Sequence, residues 1–472
     1  MKKFLIMLTA VLSFALSGNA AAVLKIQSWA LDNGARVAFV ESHAIPILDF
    51  SVEFDAGARR DPAAKAGLAG LTNAMLARGI AAGMPAGSGA KAEPRAELQA
   101  EPALSEAQIL NGFADIAAQR GGGAERDRAG ISIRTLVSVD ERDKAVNLAA
   151  RLLAQPSFPD DFLQRDKARV IAAIRESGTK PEAIAGKTFL RALYGDHPYA
   201  QQATEASVAA ITRDDLVAFH QAHYVANRAV ISIIGDITRA QAEQIALELT
   251  RRLPQGAALP AMPDVAAVVN PHEQRIAHPA SQSHILIGMP ALTRGDPDFF
   301  ALTVGNYILG GGGFVSRLTK EVREKRALSY SVYSAFSPMA QQGPFQIGLQ
   351  TKREQTDAAL KVVRDTLAAY LRDGPTAVEL KAAKDNLVGG FSLRIDNNRK
   401  ILANLSLIAY YQLPLDYLDT WTHNIEQVSI AQIRAAFARK VVLSQLSTVI
   451  VGETNADAGT SASAAPDANA HE

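Results

Sequence analysis

The sequence contains no cysteine among its 472 residues. Disulfides, thiolate nucleophiles, cysteine-ligated zinc, iron–sulfur clusters and an acylated lipoprotein N-terminus are therefore excluded in any compartment. The chain also lacks an excess of charge of either sign, because 49 Lys and Arg balance 48 Asp and Glu to a formal net charge of +1. No global field would draw such a chain to nucleic acid or to an anionic bilayer, so we expect no nucleic-acid partner.

Long apolar runs are scarce as well, and the one that stands out is at the N-terminus. Lys2 and Lys3 precede an apolar stretch of 13 residues from Phe4 to Leu16, which small residues follow at 17–22. This order is typical of a Sec-type signal peptide, and the stretch is too short to cross a bilayer. We therefore expect residues 1–22 to be a signal peptide, the mature protein to be periplasmic, and no membrane span.

What the sequence does contain is an internal repeat with an offset of 217 residues. Residues 211–216 and 428–433 both open a helix with a capping pattern. Each of these helices leads to an apolar, β-branched run that ends in glycine, at 229–235 and at 446–452. A duplicated unit that mixes strands with amphipathic helices predicts an α+β protein with two similar domains, each a sheet covered by helices on one face.

Composition divides the chain between the two copies. We predict an N-terminal domain at 23–253, a proline-containing linker at 254–270 and a C-terminal domain at 271–453. Residues 81–102 are rich in Gly, Pro and Ala and predict a mobile insertion, and residues 454–472 lack aromatic residues and predict a disordered tail. A duplication of this kind commonly leaves a ligand-binding cleft between the copies.

The N-terminal half carries a segment with a recognisable frame. A strand-like run ending at Gly57 passes through a loop into Gly67-Leu68-Ala69 and a helix. Here the chain resembles the M16 zinc metallopeptidases, the insulinase and pitrilysin family that includes the mitochondrial processing peptidase. The resemblance extends over nearly the whole mature chain and implies two tandem homologous α+β domains with mainly antiparallel sheets. In that family the helix continues as His-x-x-Glu-His, in which two histidines bind zinc and the glutamate activates water.

The chemical groups of that motif are missing here. The motif positions fall on Gly70, Asn73 and Ala74, and the family's last ligand, a glutamate in a later helix, falls on Ala173. Gly and Ala cannot ligate a metal, and an Asn amide cannot take a proton from water near neutral pH. We therefore predict no metal and no catalytic residue in this chain. We predict instead a core helix that packs through four residues, Leu68, Leu71, Met75 and Leu76.

Other residues offer no substitute for the lost site. His220 and His223 lie three apart near a helix end with no third ligand beside them. His272, His278 and His284 are spread along a linker and a strand, without the spacing of a ligand set. No Gly-x-Ser-x-Gly nucleophile motif occurs. On its own the chain is predicted to be inactive.

The C-terminal half keeps a substrate-binding pattern. Arg323 and Tyr330 match the family's Leu-Arg-x-x-x-x-Leu-x-Tyr, with Val322 in place of the first Leu and Leu328 in frame. In the family this pair binds substrate, and a guanidinium and a phenol can donate hydrogen bonds to the oxyanion of peptide hydrolysis. The alternative is a purely structural role, with Arg323 as a solvated helix charge and Tyr330 as a half-buried strand residue. The glycine turn, helix and strand around the pair also match the family, which favours substrate binding.

A glycine-rich turn precedes this pair, as it does in the family. Its members are four consecutive residues, Gly310, Gly311, Gly312 and Gly313. The turn is either a helix C-cap or a flexible lip that lets an extended peptide approach the backbone. The resemblance implies that these glycines belong to the substrate-binding surface together with Arg323 and Tyr330.

Local patterns predict the elements around this pair. Residues 298–309 predict an amphipathic helix, and residues 329–336 predict a strand. Between them Phe314, Leu318 and Val322 recur every four residues, which predicts a second helix with one buried stripe.

The resemblance implies a division of labour between two chains. In two-chain members, the C-terminal domain of one chain faces the zinc-type domain of the other. The chain thus resembles the non-catalytic subunit of a heterodimeric peptidase, with zinc in a partner that has the intact His-x-x-Glu-His motif and with extended peptides as substrates. Two alternatives stay open: a structural or peptide-binding scaffold with no role in proteolysis, and, with less support, an enzyme that uses the insertion at 81–102.

Overall fold

The computed structural model describes residues 24–83, 101–268 and 271–452. The predicted signal peptide, most of the predicted insertion and the predicted tail lie outside the described residues. None of the helices in these three ranges combines the length and apolar character that a membrane crossing requires.

The first half of the chain forms a six-stranded sheet and a two-stranded ribbon. Its strands are β1 (Ile26–Ala30), β2 (Arg36–Glu41), β3 (Ile47–Phe54), β4 (Gly79–Ile80), β5 (Leu104–Ser105), β6 (Gln119–Ala124), β7 (Ala129–Leu136) and β8 (Val230–Gly235). Its helices are α1 (Leu68–Met75), α2 (Glu106–Ala114), α3 (Val139–Ala154), α4 (Asp160–Ser177), α5 (Pro181–Tyr194), α6 (Glu205–Ala209), α7 (Arg213–His223) and α8 (Arg239–Thr250).

The second half forms a five-stranded sheet. Its strands are β9 (Glu273–Ile276), β10 (Gln282–Leu292), β11 (Val332–Phe336), β12 (Gly343–Lys352) and β13 (Ser447–Val451). Its helices are α9 (Phe299–Asn306), α10 (Thr356–Asp373), α11 (Ala377–Gly389), α12 (Asn398–Tyr411), α13 (Tyr417–Gln427) and α14 (Ile430–Lys440).

The two sheets share one topology. Their strand orders are β1-β2-β8-β3-β7-β6 and β9-β13-β10-β12-β11, so the second order repeats the first from β2 onward. In each sheet one pair is parallel, between the equivalent strands that come first and last along the chain: β2 with β8, and β9 with β13. The other pairs are antiparallel. The predicted fold of two tandem homologous α+β domains with mainly antiparallel sheets is confirmed.

The elements that revealed the repeat form as predicted. The side chains of Thr212 and Ser429 each accept a hydrogen bond from the backbone N–H of the third residue of the following helix. The side chain of that third residue accepts in turn from the backbone N–H of the cap residue. The helices that follow, α7 and α14, begin and end 217 residues apart. Both satisfy the orphan N–H groups of the first turn in the same way, which is why the capping pattern could be read from the sequence.

Each sheet is covered on both faces, which the sequence-based prediction of helices on one face only did not anticipate. Alternate strand residues such as Val37 and Phe39 join the core of the first half's own helices. The intervening residues Ala38 and Val40 pack against a helix of the second half, α12, through Ile401, Leu402 and Leu405. That prediction was wrong because an amphipathic helix shows in sequence that it has a buried face but not which sheet covers it.

The exchange of helices is reciprocal. Helix α5, from the first half, packs on the second sheet, where Ala185, Phe189 and Leu193 join Val449 and Val451 in one apolar cluster. Each half therefore completes the core of the other, and the two halves are held together by buried apolar surface.

A buried carboxylate ties the two halves at their junction. Asp127, in the turn between β6 and β7, is 2% exposed. Its carboxylate accepts hydrogen bonds from Arg59 (2.9 Å), from the hydroxyls of Tyr199 (2.6 Å) and Tyr411 (2.8 Å), and from the backbone N–H of Ala340 (2.8 Å). Two of these donors come from each half, so the network fixes how the halves meet.

Candidate functional site

The helix that carries the degenerate zinc motif, α1, is a well-buried core element. It begins after Gly67, whose φ of +104° lies in the left-handed region that glycine tolerates best. Asp61 accepts hydrogen bonds from the backbone N–H groups of Gly67 (2.7 Å) and Ala69 (2.8 Å), so a carboxylate lies at the positive end of the helix. The four residues predicted to pack this helix, Leu68, Leu71, Met75 and Leu76, are all at most 3% exposed.

Asn73, at the position of the family's catalytic glutamate, has a structural role. Its side chain is 8% exposed, and its amide nitrogen donates to the carbonyl of Gly130 on β7 (3.1 Å) and to the hydroxyl of Tyr224 (3.2 Å). The Tyr224 ring in turn lies 4.8 Å from that of Phe54. Asn73 thus links α1 to the sheet and to the end of α7. Its side chain is engaged in the core and is not available to activate water, as the family's glutamate is.

The positions of the three metal ligands hold no donor atoms. Gly70 and Ala74 lie on the exposed side of α1, and Ala173 is exposed on α4, the helix that packs beside α1. In the part of the chain that the structure describes, no three His, Asp or Glu side chains are grouped so as to hold a metal ion. Zinc does not fit this site, because a catalytic zinc needs three protein ligands.

Restoring the ligands should restore the metal. We expect the triple variant Gly70→His, Ala74→His, Ala173→Glu to bind about one zinc ion per chain, since three N and O ligands suffice for a catalytic-type site. A β-carbon at Gly70 would meet no atom within 4 Å, and all three positions are exposed, so we expect the core to be undisturbed. Zinc content after dialysis, measured by mass spectrometry, checks the expectation.

The matched control moves the carboxylate by one residue. Ala172, which is also exposed on α4, replaces Ala173 as the site of the Glu, and this variant should lose most of the zinc. A zinc-free triple variant would contradict the assignment of these positions.

The paired histidines of α7 are engaged in the core. The ring nitrogen Nε2 of His220 donates to the carbonyl of Leu153 (2.7 Å), and Nδ1 of His223 donates to the carbonyl of Asp55 (2.8 Å). Burial lowers the pKa of both histidines, so both remain neutral at physiological pH. Both histidines therefore have a structural role, which agrees with the expectation that this pair does not bind a metal.

The Arg–Tyr pair predicted from the sequence does come together. The guanidinium carbon of Arg323 lies 4.6 Å from the ring centre of Tyr330 and 4.8 Å from that of Phe314. Tyr330 is 81% exposed and Phe314 67% exposed, so both rings face solvent, whereas Arg323 is half-buried. Among the described residues, no hydrogen bond or ion pair engages the Arg323 guanidinium or the Tyr330 hydroxyl. Cation–π contacts of this kind hold an arginine in place while its N–H groups stay free to donate.

The stack rests on a rigid base. Val322 is fully buried beside Arg323, and Leu328 packs against the same core. Arg317, earlier in the same segment, binds both carboxylate oxygens of Glu379 on α11 at 2.7 Å. Burial alone would raise the pKa of Glu379, but these hydrogen bonds and those of Thr376 hold it at about 2. The segment that presents Arg323 is therefore pinned at two points.

The first two glycines of the run serve close packing rather than a simple helix cap. Residues 307–311 continue α9 as one wider helical turn. Gly310 is buried, and a β-carbon on it would lie 2.5 Å from the backbone nitrogen of Ser334 on β11. Gly311 is exposed, but a β-carbon there would lie 2.7 Å from the side-chain nitrogen of Asn306, one turn earlier in the same helix. Gly310 thus lets the helix end approach the edge strand, and Gly311 leaves room for the side chain of Asn306.

The last two glycines turn the chain towards the stack. A β-carbon on Gly312 would lie 2.7 Å from the carbonyl oxygen of Tyr307. Gly313 has a φ of +61° at the turn that leads to Phe314, a conformation that glycine adopts without strain. Gly311 and Gly313 face solvent, whereas Gly310 is buried, and contact of the four glycines with substrate stays a prediction. The role of Gly310 is to support the surface from below.

Two local predictions in this region need correction. Leu318 and Val322 are buried, but Phe314 is exposed, so the predicted stripe of three was wrong at its first member. Phe314 lies in a separate short turn at 313–315, where helical spacing no longer applies. The predicted strand at 329–336 begins only at Val332, because Ser329 uses its hydroxyl to bond the carbonyls of Ser331 (2.6 Å) and Gln350 (2.7 Å).

Sequence reasoning missed both Phe314 as a site residue and the edge strand beside α1. That strand, β6, pairs only with β7 in the described part of the sheet, and five of its six residues are exposed. Its sequence, Gln-Arg-Gly-Gly-Gly-Ala, lacks the β-branched alternation by which a strand is recognised. The equivalent edge of the second sheet is β11, which follows Tyr330.

Comparison with known proteins places these features in a family. Residues 210–387 match the family model described as the peptidase M16 inactive domain. A crystal structure of a peptidase M16 inactive domain from Pseudomonas fluorescens is 37% identical, with a TM-score of 0.83, and the match covers 91% of this chain and 98% of that one.

Curated relatives with lower identity carry different descriptions. An uncharacterized zinc protease of Mycobacterium bovis is 29% identical over 313 residues, which are 65% of this chain and 71% of that protein. The non-peptidase homolog YmxG of Helicobacter pylori is 26% identical over 367 residues, which are 74% of this chain and 84% of that protein. The resemblance seen in the sequence is confirmed: the chain belongs to the M16 peptidase family, and residues 210–387, which span the end of its first half and much of its second, match the inactive-domain model.

Proposed function

We propose that this protein is the non-catalytic, substrate-binding subunit of a periplasmic two-chain zinc peptidase. The partner is an M16 homologue with an intact His-x-x-Glu-His motif, and it alone holds zinc. This chain supplies Arg323 and Tyr330 in trans, next to the partner's metal, when an extended peptide is bound. The exposed glycines Gly311 and Gly313 leave room beside the stack for the peptide backbone.

The observation that carries this proposal is the exposed stack of Arg323 between Phe314 and Tyr330. A guanidinium fixed between two rings loses little side-chain freedom when it binds a carbonyl or an oxyanion, because its orientation is already set. The two exposed rings and the half-buried guanidinium have no hydrogen-bond or ion-pair partner among the described residues, so the stability of this chain does not require their arrangement. Their chemistry is that of an oxyanion and backbone-carbonyl site.

The edges of the two sheets support a peptide in extended form. Strand β6 borders the inactive helix α1, and strand β11 follows directly after the stack. An exposed edge offers backbone N–H and C=O groups to which a peptide can add as a further strand. Backbone pairing binds many sequences, so the arrangement suits a peptidase of broad specificity.

Mixing the two chains tests the proposal. We expect the purified chain alone to contain no zinc and to leave a quenched fluorescent peptide library intact, because its ligand positions are Gly70, Ala74 and Ala173. Addition of the zinc-bearing partner should produce hydrolysis that a chelator abolishes and zinc restores. A partner that hydrolyses the library equally well without this chain would favour the scaffold alternative instead.

A further inference from the structure

A cavity of about 560 Å³ lies at the junction of the two halves, apart from the Arg323 stack. Its walls come from the β6–β7 turn of the first half and from α9 and the segment after β11 in the second. Polar groups line one part of the cavity, and the apolar part is formed by Leu292, Phe299, Leu302, Phe336 and Met339. The volume is within the range of small-ligand sites, which combine apolar walls with a few polar groups.

Arg294 brings an uncompensated positive charge into this cavity. Its guanidinium carbon lies 5.5 Å from the ring centre of Tyr411, and its Nε is buried without a hydrogen-bond partner. No carboxylate within the described ranges pairs with it. A buried cationic donor left unpaired costs free energy, so the site favours an anion that would accept its N–H groups.

The neighbouring charges do not satisfy Arg294. Arg126, on the opposite wall, donates to the carbonyl of Tyr199, and burial lowers its pKa. The carboxylate of Asp127 is occupied by the four donors of the junction network, and Glu125 binds Arg128 at 3.1 Å. Both acids that line the cavity are thus engaged with other donors, whereas the Arg294 guanidinium has no carboxylate partner among the described residues.

From this combination we propose that the cavity binds the free C-terminus of a peptide that ends in an apolar residue. The carboxylate accepts hydrogen bonds from Arg294, and the terminal side chain lies against Phe299 and Phe336. The cavity is a second peptide-binding site, built wholly within one chain. It does not depend on the proposed function, since it needs neither zinc nor a partner.

Calorimetric titration of the full chain with matched probes tests the site. The probes are N-acetyl-phenylalanine, its amide, and acetate, which separate the contributions of the carboxylate and of the ring. We expect the acid to bind at least about tenfold more tightly than either of the other two, the effect of one charge-assisted hydrogen bond. Equal binding of acid and amide, binding of acetate as tight as that of the acid, or no binding of any probe would overturn the proposal.

Variants locate the effect. In Arg294→Gln the preference for the acid over the amide should fall to less than about threefold, and Arg294→Lys should retain part of it. The control Arg372→Gln, at an exposed arginine that binds only Asp373, should behave as the unaltered chain does. A preference that survives in Arg294→Gln would assign the carboxylate elsewhere. The comparison of acid and amide on the unaltered chain decides the matter even if the variant does not fold.

Discussion

Replacement of Arg323 by Gln is expected to lower kcat/KM of the reconstituted two-chain peptidase by about 10²- to 10³-fold, or roughly 3–4 kcal/mol of transition-state stabilisation. The guanidinium is presented between Phe314 and Tyr330 with no competing partner among the described residues, so its donors are available to the developing oxyanion. Because the guanidinium is half-buried and has no hydrogen-bond or ion-pair partner among the described residues, the fold and the affinity for the partner should change little. Initial rates on one quenched peptide, with zinc saturating, check the loss.

The chain offers a matched control three residues further on. Arg326 lies on the same segment and is exposed, and its guanidinium binds Glu321 at 2.8 Å. Arg326→Gln should leave kcat/KM within about twofold, since an exposed ion pair contributes little. Equal losses of kcat/KM in Arg323→Gln and Arg326→Gln would mean that positive charge near the interface contributes in general and that Arg323 does not contact the reacting peptide.

The rings around Arg323 separate positioning from direct contact. Tyr330→Phe removes only the hydroxyl and keeps the stack, whereas Phe314→Ala removes one wall of the stack. If the Tyr330 hydroxyl donates a hydrogen bond to the substrate, Tyr330→Phe should lower kcat/KM. If the Phe314 ring holds the Arg323 guanidinium in place, Phe314→Ala should lower kcat. Arg323 and Phe314 are in contact, so their effects should be less than additive in the double variant.

Replacement of Asp127 by Ala is expected to lower the free energy of unfolding by about 3–5 kcal/mol. The substitution leaves the buried guanidinium of Arg59 with one fewer anionic partner and strips acceptors from Tyr199, Tyr411 and the N–H of Ala340. Each of these groups is at the junction of the halves, and a neutral water in place of the carboxylate would not restore the charge that pairs with Arg59. Urea unfolding followed by far-ultraviolet circular dichroism measures the change.

Asp143 provides the comparison for this carboxylate. Its side chain is 61% exposed and binds Arg142 at 2.8 Å, so Asp143→Ala should cost no more than about 1 kcal/mol. If Asp127→Ala proved as mild as this control, the junction network would not be what holds the halves in register. The exchanged helices α5 and α12 would then carry the junction alone.

Much of the fold could be predicted because its signals are local or repeated. Capping patterns at Thr212 and Ser429 and the β-branched runs that follow them show the duplication directly. The missing ligands at Gly70, Ala74 and Ala173 are likewise a matter of residue type at a known spacing. In these cases the chemistry that decides the structure lies within a few residues along the chain.

What could not be predicted depends on distant partners. Asp127 meets Arg59 across 68 residues and Tyr411 across 284, and no sequence pattern announces either contact. The exchange of α5 and α12 between the halves could not be predicted for the same reason, since the apolar face of a helix does not indicate which sheet it packs against. Phe314 was misplaced because a spacing of four residues indicates one helical face only while the helix continues.

The most direct measurement of the central claim titrates this chain into a fixed amount of its zinc-bearing partner and follows peptide hydrolysis. We predict a low rate at zero addition, a linear rise, and a plateau at one chain per zinc, with Arg323→Gln giving the same end point at a far lower plateau. A partner that is fully active before any addition, or hydrolysis by this chain by itself, would contradict the proposal.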